Sequence, residues 1–209
     1  MRSYNQYCAV AKALDAIGDR WSLLIVRELM TRGACRYKDL KDDLPGIATN
    51  VLAERLRHLE EVGVVSRQPP TPPVATDLYV LTKRGEDLLP VLRELGRWGG
   101  QFMGNPREGD VFFAHWLLMP AELHLVDHRP DDPPVCIELR TGDQAVTVDA
   151  EGGSIKVSPR KAAAPDAVVE ASPALMLGVL VGKTTLDEAK AAGLKVHGDL
   201  SAVQRVMTS

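Results

Sequence analysis

Between Leu44 and Val65 the chain reads LPGIATNVLAERLRHLEEVGVV, and several of its polar residues are of types that read base edges or hold phosphates. Thr49 and Asn50 open the stretch, Ala53 and Glu54 follow one helical turn on, and Arg57 comes a turn later. An Asn amide pairs with adenine through two hydrogen bonds, and an Arg guanidinium does the same with guanine. A small residue such as Ala53 lets the helix approach closely. At about 100° per residue, Asn50, Ala53, Glu54 and Arg57 share one arc of a helix. Ala48, Leu52, Leu56 and Leu59 share the opposite arc and must pack on something. The pattern also fits an ordinary core helix with a solvated face, and Glu60 and Glu61 are solvated on either reading. Arg32, Arg36, Lys38 and Lys41 flank the preceding segment, where they are placed to touch a phosphate backbone and add affinity without reading sequence. Arg67, just downstream, is within reach of phosphate as well.

Other reactive side chains are scattered. Cys8, Cys35 and Cys136 stand at unrelated spacings, which give neither a disulfide framework nor a metal pattern. Cys8 lies on the apolar side of a predicted helix, where cysteine acts as a small packed hydrophobe. The alternative is a redox-sensing thiol, with Lys12 one turn later lowering its pKa modestly. His115, His124, His128 and His197 match no metalloprotease or Cys-His spacing. His124 and His128 would share a face only if HLVDH were helical, and Asp127–Pro130 reads as a surface turn. GVLVGKTT lacks the first glycine of a phosphate loop, and no nucleophile elbow occurs. No catalytic residue, cofactor or metal is expected, and the chain is not read as an enzyme.

Composition is that of an ordinary soluble globular protein. The 209 residues are 45% hydrophobic and 25% charged, and suit one large domain or two of about 100 residues each. No run approaches the ~20 apolar residues of a membrane span, and the first twenty residues lack a signal-peptide core, so a cytoplasmic protein without a membrane partner is expected. The net charge of −3 is unevenly shared. Residues 1–104 hold 15 Lys and Arg against 13 Asp and Glu, whereas residues 105–209 hold 10 against 15. Only the first half is suited to approach a polyanion.

The elements that would position these residues follow from periodicity. QYCAVAKALDAIG, WSLLIVRELM and YKDLKDDL read as three helices, the second nearly all apolar and therefore central. The Leu44–Val65 stretch supplies a fourth. VVSRQ and LYVLT then form a hairpin around the Pro-rich PPTPPVATD, and KRGEDLLPVLRELGRWGGQF forms a long amphipathic helix, with Pro90 early enough to be tolerated or to kink it. Three helices, a hairpin and a closing helix make a winged helix-turn-helix. Residues 99–110 (GGQFMGNPREGD) have linker composition.

Beyond the linker the texture changes. VFFAHWLLM reads as a helix, and its Phe112, Phe113 and Trp116 concentrate aromatics that are only 5% of the chain. Val135, Ile137 and Leu139, then Val146 and Val148, then Ile155 and Val157 alternate with polar residues as an antiparallel meander with one buried face. DAVVEAS and LKVHGD add strands. SPALMLGVLVG and TTLDEAKAAG are helices capped by Ser172 and by Thr184 or Thr185, and LSAVQRVM closes the chain. The fold class is α+β in two domains: a mainly helical winged helix-turn-helix over 1–104, and an antiparallel sheet covered by helices over 105–209. Phe112, Phe113, Trp116, Ile137, Val148, Ile155, Met176, Val179 and Leu180 are candidates to line an apolar ligand cavity; a plain core is the alternative.

YCAVAKALDAIGDRWSLLIVREL, LPGIATNVLAERLRHLEEVGVV and LYVLTKRGEDLLPVLRELGRWG resemble, block for block, the HxlR family of bacterial transcriptional regulators. The resemblance covers residues 4 to about 100 and rests most on GDRW and on LPGI-TN-L--RL--LE--G. It implies a dimeric winged helix that binds double-stranded DNA, with the fourth helix as recognition helix and the N-terminal and closing helices as dimer interface. Some members of that family sense oxidants through an N-terminal cysteine, which points at Cys8. Family wings carry an arginine where this chain has Val74, Ala75 and Thr76. Residues 135–207 are similar to the sterol-carrier-protein type of lipid-binding domain, which implies a hydrophobic small-molecule ligand held between sheet and helices. Ligand binding would then shift dimer geometry through the helix Lys83–Phe102.

Overall fold

The computed structural model describes residues 3–70, 76–104 and 106–207. The chain divides into two compact units, Met1–Phe102 and Met103–Ser209.

In the first unit, α1 (Ala9–Ile17), α2 (Ser22–Arg32), α3 (Tyr37–Asp43) and α4 (Thr49–Glu61) precede the wing strands β2 (Val65–Gln68) and β3 (Leu78–Leu81). Ile25 and Val26 of α2 are wholly buried, as expected of a central helix. Leu52, Leu56 and Leu59 of α4 are at most 2% exposed. Each such leucine contributes about 1.5–3 kcal/mol through removal from water. α4 ends on Gly63, whose φ of 71° a side chain would disfavour. There the N–H groups of Gly63 and Val64 donate back to the carbonyls of Glu60 and Leu59.

The wing is antiparallel, with Arg67 opposite Tyr79 and Gln68 opposite Leu78. A two-residue strand, β1 (Cys35–Arg36), pairs with the other edge of β3. It is too short to show an alternation, so the sequence did not announce it. Val74 and Ala75 lie outside the described residues.

The expected single closing helix is two helices. α5 (Lys83–Glu86) stops, α6 (Leu89–Gly99) begins with Pro90 in its first turn, and a 3-10 turn spans Gly100–Phe102. Proline lacks an N–H and fixes φ, so it starts a helix more readily than it lies within one. Gly85 is required by packing: a Cβ there would lie 2.2 Å from the carbonyl oxygen of Val64.

The second unit contains α7 (Leu118–His124), β4 (Val135–Thr141), β5 (Gln144–Glu151), β6 (Ser154–Ser158), β7 (Ala167–Glu170), α8 (Pro173–Leu180), α9 (Leu186–Ala191), β8 (Lys195–Gly198) and α10 (Leu200–Val206). The helix expected over VFFAHWLLM begins later, as a 3-10 turn at Ala114–Leu117 leading into α7. Ser172 caps α8, and Thr185, with Glu188 returning a carboxylate, caps α9. Among the described residues no helix is long and apolar enough to cross a membrane.

The sheet order is β6-β5-β4-β7-β8. The meander β4–β5–β6 is antiparallel as expected, but β7 lies parallel to β4, so the sheet is mixed rather than wholly antiparallel. A parallel partner on the far side of β4 forces residues 159–166 to cross over the sheet. That crossing covers the polar face. Thr147 donates to the Arg160 carbonyl at 2.8 Å, and Glu138 accepts from the Ala162 amide at 3.0 Å and from Arg140 Nε at 2.9 Å. Glu138 and Thr147 are therefore buried although they point away from the apolar core.

The core face holds Ile137, Leu139, Val146, Val148 and Met176 at 0% exposure. A buried ion pair closes one end. Arg205 of α10 donates to both carboxylate oxygens of Asp127, at 2.7 and 2.9 Å, and Asp127 also accepts from the amides of Arg129 and Gly153. These bonds hold the Asp127 carboxyl far below the usual range, chiefly through Arg205.

Candidate nucleic-acid interface

The leucine side of α4 is spent on the core, so its other side faces outward. Thr49, Asn50, Ala53, Glu54 and Arg57 are all exposed. Ala48, the N-cap, offers no side-chain cap, and the first turn of α4 carries no carboxylate. Its free N–H groups and the positive end of the helix dipole are thus open to an anion. Arg57 is exposed and pairs loosely with Glu61, at 3.8 Å.

Three contacts fix how α4 stands, and none was read from the sequence. The Tyr37 hydroxyl donates to the Thr49 carbonyl at 2.7 Å, tying the start of α4 to that of α3. Arg55 pairs with Asp19 in the GDRW turn, and with Glu54. His58 Nε2 donates to the carbonyl of Ala16 at 3.1 Å. Asp19 and Arg55 are 36 residues apart. The only sequence signal was a lone arginine flanking the leucine stripe.

The cations expected to touch phosphate fall into two groups. Arg36 and Lys38 are exposed and Lys41 half-buried, all on or beside α3. Arg32 instead pairs with Asp43, which holds its guanidinium. Arg67 is likewise engaged, with Asp77 across the wing.

The first and closing helices of this unit leave an apolar surface uncovered. Tyr7, Val10 and Leu14 are exposed on or just before α1, and Val91, Leu95, Trp98 and Phe102 on α6 and the 3-10 turn after it. Trp98 and Phe102 stack edge to face, with centroids 4.9 Å apart.

Cys8 is not packed as the helical pattern implied. It is exposed, precedes α1 in extended conformation, and the backbone amides of Ala11 and Val10 lower its thiol pKa. Burial pushes Cys35 up to about 12, and burial together with Asp149 pushes Cys136 up to about 11.

The residues chosen as ligand candidates are placed differently in the fold. Ile137, Val148 and Met176 are sealed in the core. Phe112, Phe113, Trp116 and Ile155 are half-buried. Phe113 and Trp116 stack edge to face with centroids 5.2 Å apart, as do Phe112 and Trp116 at 6.0 Å. Val179 and Leu180 line a cleft of about 270 Å³ with His124, Leu125, Thr184 and Met207 among its walls. His124 ends α7 and Leu125 is already extended, so His124 and His128 do not share a helix face.

Comparison with known proteins agrees with both halves. The HxlR-like helix-turn-helix model matches residues 16–107, and the SCP-2 sterol transfer family model matches residues 133–209. The HTH-type transcriptional regulator YvaP of Bacillus subtilis is 39% identical over 93 residues, covering 44% of this chain and 84% of YvaP. YodB, an HTH-type transcriptional regulator of the same organism, is 40% identical over 100 residues, covering 47% of this chain and 88% of YodB. A solved structure of reduced YodB, 36% identical, spans 49% of this chain and 100% of that one with a TM-score of 0.41. The chain is a transcriptional regulator of the HxlR-like helix-turn-helix family, carrying a second domain of the SCP-2 sterol transfer family.

Proposed function

We propose that the protein works as a cytoplasmic homodimer that binds a pseudo-palindromic operator in double-stranded DNA and answers to a hydrophobic small molecule held by its second domain. The observation that carries the DNA-reading part is the outward face of α4. It groups Thr49, Asn50, Ala53, Glu54 and Arg57 beside a helix N-terminus without a competing carboxylate. Arg36 and Lys38 add phosphate contacts from α3. The exposed apolar faces of α1 and α6 support a dimer, because monomers rarely leave so many large apolar side chains in water. In such a dimer two recognition helices enter successive major grooves about 34 Å apart.

The SCP-2 match and the cleft beside Val179 and Leu180 support the sensing part. A ligand that changes operator occupancy tenfold must favour one dimer geometry by about 1.4 kcal/mol. The segment Lys83–Phe102, now α5, α6 and a 3-10 turn, is the proposed link. Native mass spectrometry with organic extraction of the purified protein tests this part: a dimer carrying an extractable apolar compound supports it. Operator affinity unchanged by a saturating ligand overturns it. DNase footprinting of the wild type and Arg57→Ala tests DNA reading separately.

A second reading rests on Cys8, whose exposed, acidified thiol favours control by oxidants or electrophiles. A Cys8→Ser variant that keeps its operator response to diamide removes that reading.

A further inference from the structure

The wing, residues 65–82, contains only two charged side chains, Arg67 and Asp77. The register places Arg67 opposite Tyr79, so Asp77 lies on the diagonal, two residues along the same face. Arg67 Nε donates to Asp77 Oδ2 at 2.6 Å, and Nη2 donates to the same oxygen. Both partners remain accessible, with side chains 55% and 31% exposed. The wing is thus electrically neutral, and its one cation is already matched by its one anion.

We infer that Asp77 is an internal competitor for Arg67, which suppresses the wing's grip on the DNA backbone. This inference rests on the DNA-binding reading above. A phosphate reached by Arg67 replaces the Asp77 carboxylate as its partner. The freed carboxylate then stands beside the phosphates and repels them. Either way the wing adds little net attraction, and affinity falls on α3 and α4. An exposed pair contributes little to folding, so each partner can be neutralised without unfolding the wing.

The test uses fluorescence anisotropy with a mixed-sequence duplex three helical turns long, because the electrostatic contribution does not depend on sequence. Binding of the full chain, Asp77→Asn, Arg67→Gln and the double variant is titrated from low to moderate salt. Asp77→Asn is expected to bind more tightly at low salt. Its log K against log salt line should steepen by up to about 0.9 for each phosphate gained. Its advantage should shrink about threefold per added contact between 50 and 200 mM salt. Adding Arg67→Gln should erase both changes.

An unchanged slope for Asp77→Asn overturns the inference. A gain that survives Arg67→Gln in the double variant also overturns it, since Arg67 would then not be what Asp77 restrains. If the wild type itself shows no salt-dependent binding, the DNA-binding reading fails together with the inference. Salt-dependent wild-type binding with an unresponsive Asp77→Asn removes the inference alone.

Discussion

The two units treat their apolar side chains in opposite ways. The first leaves Tyr7, Val10, Leu14, Val91, Leu95, Trp98 and Phe102 in water, all from the chain's opening segment, α6 or the 3-10 turn that follows it. The second closes over its core, with Ile137, Leu139, Val146, Val148 and Met176 wholly buried and few large apolar residues outside. The first half has a slight excess of basic residues, the second an excess of acidic ones. The difference teaches where the proposed contacts with a second copy and with a polyanion have to lie: on the unit that leaves apolar and basic side chains exposed. The second keeps most of its large apolar side chains inside.

Breaking the second unit's closure should produce the largest effect. Asp127→Ala strands the buried Arg205 guanidinium, and Arg205→Ala strands the carboxylate. Either should lower the thermal midpoint of that unit on the order of 10 °C in calorimetry. Replacing both by apolar residues should cost less than either single change. If the singles prove harmless, the closure of this unit does not depend on the pair.

The same pair sets a pH dependence. The folded Asp127 carboxyl titrates below its unfolded value of about 3.9. Its stabilisation is therefore fully present above that value and is lost as pH falls toward the folded pKa. Urea unfolding between pH 6 and pH 2 should show a decline that the apolar double variant lacks.

The first unit's open surface sharpens the comparison. Trp98→Glu or Val10→Glu places a charge where an apolar partner is proposed. Sedimentation velocity should then report a monomer whose circular dichroism is unchanged. On the reading face, Arg57→Ala should cost about 1–3 kcal/mol of specific binding, while Lys38→Ala should weaken all sequences alike and reduce the salt slope by about one. The smallest effect concerns thiols. Iodoacetamide near neutral pH should label Cys8 before Cys136 and Cys35, whose pKa values lie at about 11 and about 12. Equal labelling rates would contradict the exposure and acidity assigned to Cys8.

Where the sequence was legible, a period and a patch of burial coincided. The α4 leucines at helical spacing and the apolar side chains alternating along β4, β5 and β6 each follow from one face being turned to the core. Cys8 was misread because periodicity continues past a helix start: it is placed with the apolar side by spacing, yet it precedes the first helical residue. Pro90 was read as tolerated in, or kinking, one long helix, whereas it lies in the first turn of a new one.

The amino-acid order by itself determined which residues share a face: the Thr49–Arg57 reading arc, the leucine arc behind it and the alternating core strands. These are local consequences of 3.6- and 2-residue periods, which any chain carries in its sequence. Tertiary structure alone decided the rest. It sent β7 parallel to β4 and so buried Glu138 and Thr147. It tied Arg55 to Asp19 and Arg205 to Asp127, and it set Asp77 against Arg67. Each of these joins charges or strands distant in sequence, and no local period encodes which distant partner a side chain will meet.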